Sequence, residues 1–369
     1  MTDGWHALPA TLMRGGTSKG LYFRADALPA DAAVRDRLLL AAMGSPDSRQ
    51  IDGVGGAHPL TSKVAVVGPS ADDAADVDYL FLQVAVDRPL VSSVQNCGNI
   101  LAGVGPFAIE QGLVAAGDAE TSVRIRMLNT GGIAVARVQT PGARVSYSGE
   151  ARIDGVPGSA APIMLDFEDV AGSSCGALLP TGNAVDRIAG IDATLIDNGM
   201  PVIVCRARDL GCEGDESPAE LQADEGLKQR IEALRLAAGP MMRLGDVAEK
   251  TVPKISLISA GRHGGALTTR TFIPHRVHEA IGVLGAVSVA TACLVPGSTA
   301  CDIAGIGARQ GNVRLDIEHP GGYFTVELAL RSAADELVVE RSAILRTARK
   351  LMEGTVFIAP EQHADDADA

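Results

Sequence analysis

The sequence predicts an α+β protein made of two similarly folded domains. Three observations lead to this prediction: the chain is long, short strand patterns outnumber helical ones, and the order of these patterns repeats. With 369 residues the chain exceeds the roughly 100–200 residues of a typical single domain. Many short runs bounded by Gly, Pro, Asn or Asp predict strands, and few stretches have the apolar spacing of a helix.

The predicted elements follow from these two patterns. The predicted strands are residues 64–67, 79–85, 123–127, 133–138, 201–205, 255–258, 313–317 and 323–328. The predicted helices are residues 31–43, 98–111, 219–238 and 278–294. Apolar residues in 219–238 recur at helical spacing with charged residues on the opposite face, so we expect one surface helix there.

An internal repeat indicates that the two halves share a fold. The run RIRMLNTGGIAVARV begins at Arg124 and RLDIEHPGGYFTVEL begins at Arg314, with a Gly-Gly pair at the same offset in each. Small-residue helix starts at 97–99 and 282–285 precede these runs, and TSKVAV at 61–66 is similar to VPKISL at 252–257. We expect domains at 1–165 and 166–345, with residues 345–360 as a candidate segment to return to the first. A cleft between twin domains is a usual ligand site.

Composition and charge exclude several classes of protein. The chain is 46% hydrophobic but only 3% aromatic, and 42 glycines and 19 prolines indicate many tight turns. Collagen, coiled coils and disordered chains do not have this composition. A net charge of −13 disfavours nucleic acid and anionic membranes as partners.

The sequence also predicts a cytoplasmic location. No run of 18 apolar residues occurs, and the N-terminus lacks the pattern of a signal peptide. The six cysteines form no CxxC pair or paired framework, which is typical of reduced thiols in a cytoplasmic protein.

The strongest local motif is QNCGNILAG at 95–103. Asn96 and Cys97 are expected at the cap and first turn of a helix, where free backbone N–H groups and the helix dipole favour negative charge. Such an environment favours a thiolate and can hold a substrate carboxylate through Asn96, Gly98 and Asn99. The alternative is that Cys97 is a small buried apolar residue.

Two further motifs carry candidate residues. In MRGGTSKG at 13–20, Arg14, Thr17 and Ser18 could bind a carboxylate, although the loop could equally be a solvated turn. The run does not match a phosphate-binding loop, because Ser precedes Lys19 and Gly follows it. Lys63 lies in the apolar run LTSKVAVV, and a lysine partly removed from water can act as a neutral base toward carbon. The alternative for Lys63, favoured for Lys254, is a strand-edge lysine with its amine in solvent.

The second half contains further polar candidates. Thr181 lies in the turn PTGN at 180–183, and Arg270, Arg276 and His278 lie in the stretch TTRTFIPHRVH at 268–278. These side chains could bind carboxylates or cap the next helix. His275 and His278 have no carboxylate or thiol at ligand spacing, so no metal site is predicted.

Four of these motifs together resemble a known family. MRGGTSKG at 13–20, QIDGVGGAHPLTSKVAV at 50–66, QNCGNILAGVGPFA at 95–108 and TFIPHR at 271–276 resemble the family of methylaconitate isomerases and 4-oxalomesaconate tautomerases, over nearly the whole chain. The resemblance implies a diaminopimelate-epimerase-like fold: two pseudo-symmetric domains, each a curled sheet around a central helix, with the active site in the interdomain cleft. It also implies proton transfer without a cofactor and, by analogy, a homodimer.

The resemblance also assigns roles. Cys97 matches the first catalytic cysteine of the epimerases, but the stretch HEAIGVLGA at 278–286 has no cysteine where they have their second, so a two-thiol mechanism is in doubt. Lys63 matches the lysine that acts as principal base in the isomerase branch. The implied substrate is the tricarboxylate 4-oxalomesaconate of aromatic-acid catabolism, with Arg270 and Arg276 supplying charge.

Three other functions stay open from the sequence. One is 2-methylaconitate isomerisation in propionate catabolism. Another is carboxylate binding without catalysis. The third is amino-acid epimerisation, which the missing second thiol disfavours.

Overall fold

The structure is a computed structural model that describes residues 5–359 except 95, 169, 275, 307–308 and 334–335. The chain divides into two compact units. Unit 1 comprises the described residues of Met1–Ala151, Ser159–Ile163 and Arg346–Ala369, and unit 2 comprises those of Arg152–Gly158 and Met164–Leu345.

Unit 1 is a sheet of short strands with two helices. Its strands are β1 (His6–Gly15), β2 (Ser18–Arg24), β3 (Lys63–Pro69), β4 (Val77–Val84), β5 (Val91–Ser92), β6 (Glu120–Met127), β7 (Ile133–Gln139) and, from the end of the chain, β18 (Ala348–Ile358). Its helices are α1 (Ala32–Met43) and α2 (Gly98–Glu110). The strands pair in the order β18-β1-β2-β3-β4-β6-β7, with β5 also on β4. The pairs β2–β3 and β4–β6 are parallel, and the others are antiparallel.

Unit 2 repeats this plan and adds helices. Its strands are β8 (Ile163–Phe167), β9 (Asp186–Ile188), β10 (Ile191–Asp197), β11 (Pro201–Arg206), β12 (Lys254–Ala260), β13 (Leu267–Ile273), β14 (Arg276–Val277), β15 (Gly311–His319), β16 (Gly322–Ala333) and β17 (Glu336–Arg346). Its helices are α3 (Pro218–Ala223), α4 (Glu225–Met241), α5 (Val283–Ala292) and α6 (Thr299–Ala304). The strands β10 to β15 pair in the same order and directions as β1 to β6, which confirms the predicted repeat.

In unit 1 the sheet curls around α2. Residues Ile100 to Ala108 of this helix are all buried, as expected for a helix that is apolar on every side. The helix contacts β1, β2, β3, β4, β6, β7 and β18. Small residues permit this close wrapping: a Cβ on Gly103 would lie 2.4 Å from the Tyr22 hydroxyl. The predicted curled sheet around a central helix is therefore confirmed for this unit.

The other face of the same sheet is covered by α1. Side chains alternate along β2, so Tyr22 faces α2 while Leu21 and Phe23 join a core cluster with Leu39 of α1. Asp31 caps α1 by accepting from the N–H of Val34, and Gly44 ends it in the left-handed conformation. Both faces of β2 are consequently buried.

Two predicted helices differ from the structure. The single surface helix expected at 219–238 is two helices, because Asp224 ends α3 and its side chain caps α4 through the N–H of Leu227. It is also not merely a surface helix, since Leu227, Ile231 and Leu234 lie in the core of unit 2. The helix expected from residue 278 begins only at Val283, since Gly282 is its extended N-cap. Among the described residues no helix is long and apolar enough to cross a membrane.

Candidate active site

The turn between β1 and β2 packs directly on the first turn of α2. A Cβ on Gly15 would lie 2.4 Å from the Asn99 carbonyl oxygen, and one on Gly16 would lie 2.1 Å from Asn99 Oδ1. Glycine is therefore required at both positions, and Gly16 also has a φ of +50°. Asn99 Nδ2 donates to Thr17 Oγ1 at 3.1 Å. The structure thus brings together two of the predicted carboxylate-binding segments.

Arg14 and Ser18 flank this turn. Arg14 Nη1 donates to the carbonyl oxygen of Gly16 at 2.8 Å and to both the carbonyl and the hydroxyl of Thr347 at 3.0 Å. Burial lowers the pKa of Arg14, and the charge of Arg349 adds to this effect. Ser18 is buried, and its hydroxyl has no hydrogen-bond partner among the described residues. Arg14 therefore braces the turn, while the buried Ser18 hydroxyl has no partner among the described residues.

Cys97 is the N-cap residue of α2, as predicted. It is half-buried, and its side chain makes no capping hydrogen bond. Its carbonyl accepts from the N–H of Leu101 at 2.9 Å and from the Tyr79 hydroxyl at 3.3 Å. The carbonyl oxygen of Cys97 thus has two donors, while its sulfur takes no part in capping the helix.

Two tyrosines and one arginine interact electrostatically with Cys97. Burial raises the pKa values of Tyr22 and Tyr79 well above 10, with Cys97 contributing, so both are neutral phenols. Arg346, where the chain returns to unit 1, is fully buried. Burial lowers the pKa of Arg346 to about 9, and the interaction with Cys97 opposes this change. Arg346 is therefore a buried positive charge that interacts electrostatically with Cys97.

Asn96 is anchored away from the helix. Its Nδ2 donates to Thr130 Oγ1 at 2.6 Å and lies 3.4 Å from the Met127 sulfur. Its Oδ1 is buried and has no hydrogen-bond partner within the described ranges. Gln95, the first residue of the same motif, lies outside the described residues.

Lys63 is the first residue of β3 and is only 6% exposed. Its Nζ lies 2.6 Å from Gln83 Oε1 and 5.1 Å from the centre of the Phe81 ring. In the part of the chain that the structure describes, no carboxylate forms an ion pair with this amine. The alternative of a strand-edge lysine in solvent is therefore wrong for Lys63. Sequence reasoning missed Gln83, Phe81 and Arg346, because cross-strand partners are set by strand register.

The candidates in unit 2 are mostly engaged in local structure. Thr181 Oγ1 donates to Asp186 Oδ2 at 2.7 Å within a turn. Arg270 is buried and donates to the carbonyl oxygens of Glu216 at 2.5 Å and Thr269 at 2.9 Å. Arg276 is exposed on β14, and His278 Nδ1 accepts from the N–H of Ala280 at 2.9 Å. His275 lies outside the described residues. The roles of these side chains in binding stay predictions.

The second thiol is absent from its expected place. Gly282 caps α5 in unit 2, as Cys97 caps α2 in unit 1. Cys293 lies at the other end of α5, fully buried, and burial raises its pKa far above the ordinary value. Among the described residues no group of His, Cys, Asp and Glu side chains could hold a metal ion.

Comparisons with known proteins identify the family of this chain. The model of the PrpF protein family matches residues 6–359. The chain is 60% identical over 352 residues to the (4E)-oxalomesaconate Delta-isomerase of Novosphingobium sp. strain KA1, covering 95% of this chain and 97% of that protein. It is 58% identical over 357 residues to the 4-oxalomesaconate tautomerase of Pseudomonas putida, with 96% and 97% covered. A more distant relative, the 2-methyl-aconitate isomerase of Shewanella oneidensis, is 36% identical, with 95% and 96% covered.

Solved structures confirm the predicted fold. The crystal structure of methylitaconate-delta-isomerase is similar with a TM-score of 0.83 and 32% identity, covering 100% of both chains. A hydroxyproline epimerase from Agrobacterium vitis has a TM-score of 0.56 at 15% identity, covering 96% of this chain and 94% of that one, and shows a shared fold alone. The chain therefore belongs to the PrpF protein family, and it is an isomerase.

Proposed function

We propose that this isomerase acts on 4-oxalomesaconate without a cofactor, using the Lys63 amine as the base that moves a proton along the conjugated system of the substrate. The observation that carries the proposal is the buried Lys63 amine, which faces a neutral amide and an aromatic ring rather than a carboxylate.

The substrate supplies the electron sink that such a reaction needs. A 2-keto group conjugated with an alkene acidifies the C–H bond at the γ carbon. When Lys63 takes this proton, the electron pair of the C–H bond passes into the conjugated system and forms a dienolate. Return of a proton to another carbon moves the double bond, and return to oxygen gives an enol. No electrons enter or leave the substrate, so neither a redox group nor a nucleotide is required.

The remaining residues of unit 1 fit the binding of a polyanion. The N-terminus of α2 offers the backbone N–H groups at Gly98 and Asn99, with Asn96, Thr17 and Ser18 nearby in the two motifs that meet there. Buried Arg346 adds positive charge beside Cys97. We assign Cys97 as the second acid/base group or as a thiol that orients the substrate.

The first experiment offers the purified protein two acids in deuterium oxide. With 4-oxalomesaconate we expect a change in ultraviolet absorbance, because the alkene moves relative to the carbonyl, and deuterium at the exchanged carbon in the NMR spectrum. Turnover of 2-methylaconitate but not of 4-oxalomesaconate would favour the alternative, a 2-methylaconitate isomerase. Binding of either acid without deuterium incorporation would contradict an isomerase role.

The setting of the reaction is part of the same proposal. The partner is a small tricarboxylate, and the net charge of −13 disfavours nucleic acid. All six cysteines are free, which supports a reducing, cytoplasmic location. The predicted homodimer can be tested by light scattering of the purified protein.

A further inference from the structure

We propose that Gln83 is a positioning residue that holds the Lys63 amine in place for proton transfer. The inference rests on the proposed function, because it takes Lys63 as the base. It adds a residue from another strand to the site, and it gives a physical role to the motif QIDGVGG at 50–56.

The two side chains meet through strand register. β3 and β4 are antiparallel, and Lys63 lies directly opposite Gln83 in the pairing. Directly opposed residues have Cβ atoms about 4.5–5.5 Å apart, which lets long side chains interact. Phe81 lies two residues before Gln83 on β4, so both point to the same face. The Lys63 amine thus has the Gln83 amide at 2.6 Å and the Phe81 ring at 5.1 Å.

The orientation of the Gln83 amide is fixed by its other end. Nε2 donates to the carbonyl oxygen of Ser62 at 2.8 Å and to that of Pro59 at 3.1 Å. A flipped amide would place Oε1 against two carbonyl oxygens and Nε2 against the amine of Lys63. Because that arrangement loses three hydrogen bonds, Oε1 must face Lys63.

The loop that carries these carbonyls is itself held by Gln50. This buried residue donates from Nε2 to Ser62 Oγ at 2.7 Å, and its Oε1 accepts from the N–H of Ala57 at 2.9 Å. Ser62 Oγ in turn donates to the carbonyl of Val84 at 2.9 Å. A Cβ on Gly55 would lie 2.2 Å from the Gln50 amide, so a side chain at this position would displace the amide from the groups that it holds.

An amide suits this position because it directs the amine without supplying charge. Its oxygen accepts one N–H from Lys63, whether the amine is neutral or protonated, and so fixes the direction of Nζ in both states. A misplacement of about 1 Å at a reacting group can cost on the order of 100-fold in rate. Loss of the amide oxygen should therefore slow proton transfer without weakening substrate binding.

The test replaces Gln83 by methionine, which has similar length but cannot accept this hydrogen bond. For Gln83→Met we expect kcat and the rate of deuterium incorporation to fall about 10- to 100-fold, with KM within threefold of the wild type. If Gln83→Met folds poorly, Gln83→Ser serves in its place. Serine is too short to reach Nζ and leaves room for water at both carbonyls, so kcat should again fall while KM stays within threefold of the wild type. Gln139→Met on β7, which removes only a bond to Glu120, is the control and should leave kcat unchanged.

Lys63→Met measured alongside separates the two proposals. If Lys63→Met is inactive while both Gln83 variants have wild-type kcat, the positioning role of Gln83 is overturned and the base assignment stands. A rise in KM alone would also overturn it, since Gln83 would then bind substrate. Full activity of Lys63→Met would overturn both the base assignment and this inference.

Discussion

The two units share a pattern of strand pairing but place different chemistry at corresponding positions. β3 and β12 each begin with a lysine and each pair in parallel with the preceding strand of their unit. Lys63 is buried with its amine on the Gln83 amide, whereas the Lys254 amine donates to the backbone carbonyl of Thr251 at 2.5 Å. The fold therefore presents a lysine twice, and only the surroundings of Lys63 direct it toward other side chains of a site.

The helix starts differ in the same way. The N-cap is Cys97 in unit 1 and Gly282 in unit 2, so the residue with a reactive side chain occurs once. An epimerase needs an acid/base group on each face of a stereocentre, whereas moving a double bond needs one base and a proton donor. A single thiol at the helix starts therefore suits a proton shift along one conjugated system better than an epimerisation.

The largest expected difference is between two single variants in which one lysine or the other is replaced by methionine. Lys63→Met should lower kcat by about 100- to 10,000-fold, because it removes the proposed general base. Lys254→Met should change kcat by less than about threefold, because a residue that does not transfer the proton does not contribute to the rate of that step. The measurement is the initial rate with 4-oxalomesaconate, together with the melting temperature of each variant. Equal losses in the two variants would contradict the contrast between the units.

A smaller effect is expected from the thiol at the helix start. Cys97→Ser should lower kcat by about 10- to 100-fold, because a hydroxyl is a far weaker acid and nucleophile than a thiol. Serine is a preferred N-cap residue, so the melting temperature should not fall. Cys301→Ser, at the other half-buried cysteine, is the matched control. Full activity of Cys97→Ser would return the thiol to a packing role.

Each unit carries charge at one position of a parallel strand pair, β4–β6 in unit 1 and β13–β15 in unit 2. In unit 1 Asp78 lies opposite Arg126 and accepts two hydrogen bonds from it at 2.7 Å. In unit 2 the corresponding pair is Thr268 and Glu318. The Glu318 carboxylate is buried and accepts from the Thr268 hydroxyl and from the backbone N–H groups of residues 262, 263 and 265. Unit 2 thus uses a carboxylate to hold a loop where unit 1 uses an ion pair.

Glu318→Gln should therefore destabilise the protein by about 2 kcal/mol, because it leaves buried N–H groups poorly paired. Arg126→Gln should cost less, since it breaks a partly exposed ion pair. Burial alone would raise the pKa of Glu318, but the hydrogen bonds it accepts lower that pKa to about 2. Between pH 4.5 and 2 the unfolded state then binds more protons at Glu318 than the folded state does. The contribution of Glu318 to stability is therefore present above pH 4.5 and is lost on acidification. Urea unfolding of the wild type and both variants from pH 7 to 3 measures the free energies of unfolding. The difference between the wild type and Glu318→Gln should narrow on acidification, and a constant difference would contradict this account.

Local patterns explain which parts of this fold could be predicted from the sequence. The Gly-Gly turns and the apolar runs on either side of them predict β6, β7, β15 and β16, because turn chemistry and side-chain alternation act over a few residues. The break at Asp224 also has a local signal, since Asp is a preferred N-cap residue and here caps α4, but the apolar spacing continues across the break.

The candidate site could be predicted only in part. Cys97 and Lys63 stand in recognisable motifs, and their placement at a helix cap and a strand start follows from neighbouring residues. Gln83 reaches Lys63 through strand register, and Arg346 comes to interact with Cys97 where the chain returns to unit 1. Such pairings depend on the tertiary fold, and a single sequence contains no local signal for them.

The smallest expected effect is that of Lys254 on the free energy of unfolding. Burial lowers the pKa of Lys254 to about 8, and the charge of Arg235 adds to this effect. Between pH 8 and 10.5 the unfolded chain therefore binds a proton that the folded chain has released, so stability should rise with pH through this range. Relative to Lys254→Met, the free energy of unfolding of the wild type should increase by on the order of 1 kcal/mol. Denaturant unfolding of both proteins at pH 7.5 and 10 measures this difference. A wild type that loses stability relative to Lys254→Met over the same interval would show that the folded protein holds this amine as an ammonium ion.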